Sequence, residues 1–184
     1  MKLLLGVTGS VAAVLTPKLV AKILNKLPGV ELKLITTIRG QYFFRRENIN
    51  PAVQILGDKD EWPEAGYTKG APVPHIDLGE WADVLLIAPL TADTLSDMAN
   101  GNADKFLTST VLAWPRRKPI IVAPAMNTRM WENPITVKNL LTIRRVYRTS
   151  VIEPIEGNLA CGTTGIGAMA KIDDIVAALD ALLF

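Results

Sequence analysis

Four short runs of this chain, Lys2 to Val7, Glu31 to Thr36, Asp83 to Ala88 and Pro119 to Ala123, are almost continuously apolar and bounded by Gly, Pro, Asp or Thr. Unbroken apolarity, rather than alternation, is what parallel strands need when both of their faces are covered. Between the runs, Val11 to Leu27, Thr91 to Asn100, Asp104 to Trp114 and Pro134 to Tyr147 carry apolar residues at helical spacing, and Ile172 to Leu183 reads as a closing amphipathic helix. Pro17 either kinks the first helix or starts a second one capped by Thr16. Strand–helix alternation along the whole chain predicts a three-layer α/β structure on a parallel sheet, Rossmann-like and flavodoxin-like, as a single domain over residues 1–184. No internal repeat, low-complexity tract or domain boundary interrupts the pattern.

At 184 residues and 49% apolar, the chain can bury a substantial core. No run approaches the ~20 apolar residues that span a bilayer, and Met1 to Val7 passes directly into a Gly/Ser turn rather than an export signal. The single cysteine, Cys161, excludes an internal disulfide and fits a reducing compartment, so a cytoplasmic location is expected. A net charge of +2 gives no case for a nucleic-acid or membrane partner. The cluster Arg144, Arg145 and Arg148 reads as a solvated helix end sooner than an anion or subunit contact.

Two segments resist the strand–helix reading. Gln54 to Pro74 is rich in Gly, Pro, Asp and Glu, and Glu153 to Gly167 in Gly, Thr and Asn. Long irregular segments of compact domains tend to be functional, so both are candidate site loops, the second a candidate flap.

Gly6-Val7-Thr8-Gly9-Ser10 follows the first strand and opens a helix, where small residues expose backbone N–H groups to a phosphate. It falls short of the dinucleotide fingerprint, and the next strand ends in Thr36-Thr37 rather than an acid. Hydroxyls there suit a mononucleotide phosphate or ribityl chain. The alternative is a tight turn without a ligand. The later strands end in Ala88-Pro89-Leu90-Thr91-Ala92-Asp93-Thr94 and Ala123-Pro124-Ala125-Met126-Asn127, small and polar residues where open α/β sheets bind ligands. Thr91 and Asn127 are also good helix N-caps. His75 is the only histidine, at the start of a short helix, and a lone histidine is more often structural than catalytic. Cys161 lies in the irregular late segment. One histidine and one cysteine are too few for a zinc site, so no metal is expected.

Together, Gly9-Ser10-Val11, His75, Pro89 to Thr94, the run Pro124-Ala-Met-Asn-Thr-Arg-Met-Trp131 and Ala160-Cys161-Gly162 resemble the phosphopantothenoylcysteine decarboxylases, members of the homo-oligomeric flavin-containing cysteine decarboxylases. The resemblance runs from Lys2 to about Ile175 and is most specific in the Pro-x-Met-Asn-x-x-Met-Trp run. It implies FMN at a subunit interface of a homotrimer or dodecamer. It implies decarboxylation of 4'-phosphopantothenoylcysteine to 4'-phosphopantetheine, a step of coenzyme A biosynthesis, through a thioaldehyde that accepts the electrons left by CO2. By matching positions, Gly9, Ser10, Val11, Thr36, Thr91, Ala92, Asp93, Thr94 and Ala125 would line the flavin. His75 would act as base, Asn127, Met130, Leu159 and Ala160 would hold substrate, and Cys161 would return a proton to the enethiol product.

Peptide-modifying members that act on C-terminal cysteines lack the Ala-Cys-Gly element, so Cys161 favours the small-molecule reaction over that alternative. A flavin-binding regulatory subunit without catalysis is the rival that intact His75 and Cys161 oppose. A plain electron carrier would need neither the Met-Asn run nor the cysteine. Three positions depart from the family's usual pattern. Asp93 stands where asparagine is usual, a change that either weakens FMN binding or alters the redox balance, or is compensated by a nearby arginine such as Arg129; Thr163 replaces an aspartate, and Asn158 replaces a basic residue.

Overall fold

The computed structural model describes residues 1–62, 66 and 68–182. Its six-stranded sheet has the order β3-β2-β1-β4-β5-β6, with every pair parallel. The strands are β1 (Lys2–Val7), β2 (Glu31–Thr36), β3 (Gln54–Gly57), β4 (Val84–Leu90), β5 (Ile120–Pro124) and β6 (Ser150–Val151). The chain winds outward from β1 to β3, then returns to β1's other side with β4. That reversal leaves a crevice beyond the carboxyl ends of β1 and β4, where such sheets place ligands.

The apolar runs form strands because both faces are roofed. Leu3, Leu5 and Val7 of β1 join Val84 and Leu86 of β4 in one core. That core is closed by Leu19, Val20 and Ile23 of α1 (Thr16–Lys26) and by Ile175, Val176 and Leu179 of α7 (Ile172–Asp180). Leu4, Leu85, Ile87 and Val122 point the other way. They meet α2 (Pro74–Trp81), α3 (Ala92–Asn100), α4 (Phe106–Leu112) and α6 (Pro134–Tyr147). Each fully buried leucine contributes roughly 1.5–3 kcal/mol of transfer free energy, so slipping β1 by one residue would exchange its two apolar sets between cores.

Several boundaries differ from the sequence reading. The segment from Val11 splits into a 3-10 turn (Val11–Leu15) and α1, with Pro17 in the first turn of α1. Thr16 does not cap α1: Leu15 occupies that position and the Thr16 hydroxyl is buried without a hydrogen-bond partner among the described residues. Residues 54–57, expected to be irregular, form the sheet edge β3, because Ile55 and Leu56 cover one core each. The rest of that expected loop includes residues 63–65 and 67, which lie outside the described residues, as does Leu183 of the expected closing helix. The late segment is ordered as an antiparallel hairpin of β7 (Ile155–Asn158) and β8 (Thr164–Ala168). Arg148 leaves α6 in a left-handed conformation, and Arg144 pairs with Glu153, consistent with a helix end. No described helix is long and apolar enough to cross a membrane.

Candidate functional site

Thr8 ties the two sides of the crevice together. Its hydroxyl donates to the Pro89 carbonyl at 2.8 Å and accepts from the Thr91 N–H at 2.9 Å, so the ends of β1 and β4 are fixed relative to each other. Ser10 begins the 3-10 turn, its Oγ accepting from Ala12 N–H at 3.3 Å. Gly9 is glycine for a reason inside the chain: a Cβ there would collide with the side chain and backbone of Arg39.

Beside this turn lies a cavity of about 450 Å³. Ser10, Val11 and Leu15 form one wall, Ala125, Met126 and Asn127 the floor, and Leu159, Ala160 and Cys161 of the hairpin tip the far wall. Asn127 caps the short α5 (Thr128–Trp131), its Oδ1 accepting from Arg129 N–H at 2.9 Å. Its amide nitrogen donates to Cys161 Sγ at 3.0 Å. Met130, one turn further along α5, is half exposed.

Cys161 is exposed, and its sulfur also lies 3.1 Å from Thr163 Oγ1. The Thr163 hydroxyl and backbone N–H, with the Asn127 amide adding to them, hold the thiol below its ordinary pKa. Threonine therefore serves the sulfur at the position where the family usually has aspartate. Asn158, the other departure in the hairpin, accepts a hydrogen bond from Thr164 and braces the strand pair.

Two glycines explain why the hairpin lies over the Met-Asn run. Gly167 has φ +148°, and a Cβ there would overlap the Met126 carbonyl oxygen. The same residue accepts a backbone hydrogen bond from Met126 N–H at 3.0 Å, and a Cβ on Gly165 would overlap the Thr128 hydroxyl.

The remaining candidates sit elsewhere. Thr36 is fully buried, its hydroxyl donating to the Thr37 carbonyl, and Thr37 instead reaches a neighbouring cavity with Ile38, Arg39 and Asp93. Thr94 is buried against the Thr91 hydroxyl at 3.2 Å, whereas Thr91 and Ala92 are partly exposed at the crevice. Asp93 shares that neighbouring cavity with two cations, Arg39 and Lys105, and Arg129 does not line it. Burial pulls the Lys105 ammonium pKa down, but the hydrogen bond it donates to Asp97 and the charges of Asp97, Asp104 and Asp93 outweigh it and hold it above its ordinary value.

His75 occupies a third cavity, of about 480 Å³, with Asp58, Glu61, Trp62, Asp104 and Ser109. Its imidazole and the Cys161 thiol thus open into different cavities of one chain. Glu61 and Arg39 were not legible as site residues, because nothing in sequence links Glu61 to His75 or Arg39 to Gly9. Among the described residues no cluster of three or more His, Cys, Asp or Glu could hold a metal ion.

Phosphopantothenoylcysteine decarboxylase of Mus musculus is 42% identical over 182 residues, which cover 99% of this chain and 87% of the mouse protein. A solved cysteine-to-serine mutant of PPC decarboxylase, complexed with pantothenoylaminoethenethiol, matches with a TM-score of 0.93 and 38% identity over 99% of this chain and 97% of that one. The FMN binding protein AtHal3 matches with a TM-score of 0.88 and 39% identity over 98% and 95% of the two chains. The family model described as Flavoprotein matches residues 1–184, and the chain belongs to that family.

Proposed function

We propose that this chain decarboxylates 4'-phosphopantothenoylcysteine to 4'-phosphopantetheine with FMN as cofactor. The observation that carries the reading is the contact between Asn127 and Cys161 at the mouth of the cavity beside Ser10 and Val11. Residues of three separate segments, each matched to the decarboxylases, converge there. The mouse relative, which bears that activity in its name, supports the same substrate.

The residues fit a flavin. A flat ring system needs an apolar slot, and Val11, Leu15, Ala125 and Met126 supply one, while the Gly9–Ser10 turn and the nearby Arg39 suit a phosphate. Thr91 and Ala92, at the first turn of α3, are further candidate contacts. When bound, FMN supplies reversible two-electron oxidation of the substrate's CH2–SH carbon, which creates the electron sink that decarboxylation requires.

The chain's own groups then divide the work. His75 takes the substrate thiol proton. Asn127, an uncharged donor, orients the carboxylate without holding it as tightly as an arginine would, since strong ground-state binding of a departing group gains no rate. Met130, Leu159 and Ala160 enclose the substrate beside it. Cys161, its thiol held below the ordinary pKa chiefly by Thr163, returns a proton to the product carbon.

His75 and Cys161 open into separate cavities, and Val11, Val14 and Leu15 are exposed apolar residues beside the crevice. Both features support a site completed by a second copy of the chain, in a trimer or a higher assembly of trimers. The single cysteine supports a reducing, cytoplasmic setting.

Mass spectrometry of the FMN-loaded protein with 4'-phosphopantothenoylcysteine tests the reading. Loss of CO2 alone supports it. Loss of CO2 together with two hydrogens would place the chain with oxidative, peptide-type decarboxylases. An unchanged substrate would overturn the assignment.

A further inference from the structure

We propose that Glu61 is a positioning residue for His75, holding one ring nitrogen so that the other serves as the base; this rests on His75 being the base. Glu61 is buried at 5% exposure, an expensive site for a carboxylate without a charge partner. Among the described residues, the basic side chain it meets is His75: Oε1 lies 2.9 Å from Nδ1, which is itself buried. The two atoms are close but not aligned for a linear N–H···O bond, a looseness common where a catalytic contact tightens only with ligand bound.

The surroundings hold the carboxylate in place. Glu61 follows the turn after β3, where Gly57 N–H donates to Asp60 Oδ2 at 2.7 Å. Asp58 Oδ1 accepts from Phe106 N–H at 3.0 Å, so the segment is fastened to the start of α4. Glu61 N–H itself donates to the Asp58 carbonyl. Trp62 sets an edge against the imidazole, with ring centroids 6.1 Å apart and planes at 65°. The histidine therefore has its Nδ1 side occupied by Glu61 and one flank by Trp62. A carboxylate at Nδ1 favours the tautomer protonated there, which leaves Nε2 as the unprotonated nitrogen able to accept a proton. Asp58 and Asp104 line the same cavity, but the carboxylate that reaches the ring is that of Glu61.

His75 is the only histidine, so its ring nitrogens can be read directly by NMR in protein carrying 15N-histidine. In wild-type FMN-loaded protein at mildly alkaline pH, the spectrum should show the Nδ1–H tautomer. Glu61→Gln should shift the tautomer population toward Nε2–H, lower kcat roughly ten- to a hundredfold, and leave KM and bound FMN unchanged. Glu61→Asp, which restores the charge, should recover part of both signals. An unchanged tautomer in Glu61→Gln overturns the proposal, whatever happens to kcat, and so does a changed tautomer with wild-type kcat. Full activity in His75→Asn would remove His75 as base while leaving the tautomer result to report the contact itself.

Discussion

One amide, that of Asn127, fastens the hairpin tip to the floor of the site: Nδ2 donates to Cys161 Sγ at 3.0 Å while Oδ1 accepts from Arg129 N–H at 2.9 Å. Both ends of the side chain are used, so its orientation is set before any substrate arrives. A substrate carboxylate that engages Nδ2 must share or displace the thiol.

Asn127→Asp separates the two roles. Aspartate is as good an N-cap as asparagine, so α5 should persist and stability should change by less than about 1 kcal/mol. At the other end a donor becomes an anion facing the thiol and the substrate carboxylate. Product formation should fall roughly a hundredfold or more, equivalent to about 2.7 kcal/mol of barrier. Thermal melting and product mass spectrometry on the same preparation check both halves.

Thr163→Val should move the titration of Cys161. The hydroxyl of Thr163 is the largest influence lowering the thiol, so its removal lets the pKa rise toward the ordinary value. Thiolate reacts and thiol does not, so at neutral pH the variant should alkylate more slowly than wild type, and the two rates should converge at high pH. Cys161 is the only cysteine, which makes the rate of iodoacetamide labelling against pH a clean readout. Superimposed profiles would remove Thr163 from this role.

Cys161→Ser and His75→Asn should fail at different stages. The serine variant should still release CO2 but accumulate the oxidised enethiol, because the final proton has no adequate donor. The asparagine variant should bind FMN and release nothing. Normal pantetheine product from the serine variant would take Cys161 out of the reaction.

Four strands of the sheet were legible because each apolar run is covered on both faces, and β1 and β2 begin and end where their sequences indicate. The two-residue edge strand β6 is too short to leave an apolar run. The edge strand β3 was not legible either, since a strand of four residues at a margin needs only Ile55 and Leu56 to be apolar and sits in a polar context. The hairpin was hidden for a related reason. Its glycines, which read as irregularity, are required by close packing on Met126 and Thr128. Asn127 and Cys161 stood out in their motifs, but their contact comes from the fold. Glu61 was not legible, because the fold alone brings it to His75 from fourteen positions away.

Gly167 and Gly162 separate a glycine needed for space from one needed only for backbone freedom. Both have positive φ, +148° and +82°. At Gly162 a Cβ would meet nothing within 4 Å, so Gly162→Ala carries only the left-handed strain of an alanine, about 1–2 kcal/mol. At Gly167 the Cβ would enter the Met126 carbonyl, so β8 must lift from the Met-Asn run in addition to bearing the strain. Lifting it weakens the Met126–Gly167 backbone bond and pulls Cys161 from Asn127. Gly167→Ala should therefore show a larger fall in melting temperature than Gly162→Ala. It should also show faster amide exchange across β7 and β8 and a Cys161 alkylation profile displaced to higher pH. Equal melting temperatures and equal hairpin exchange in the two variants would mean that the hairpin does not depend on the close approach at Met126.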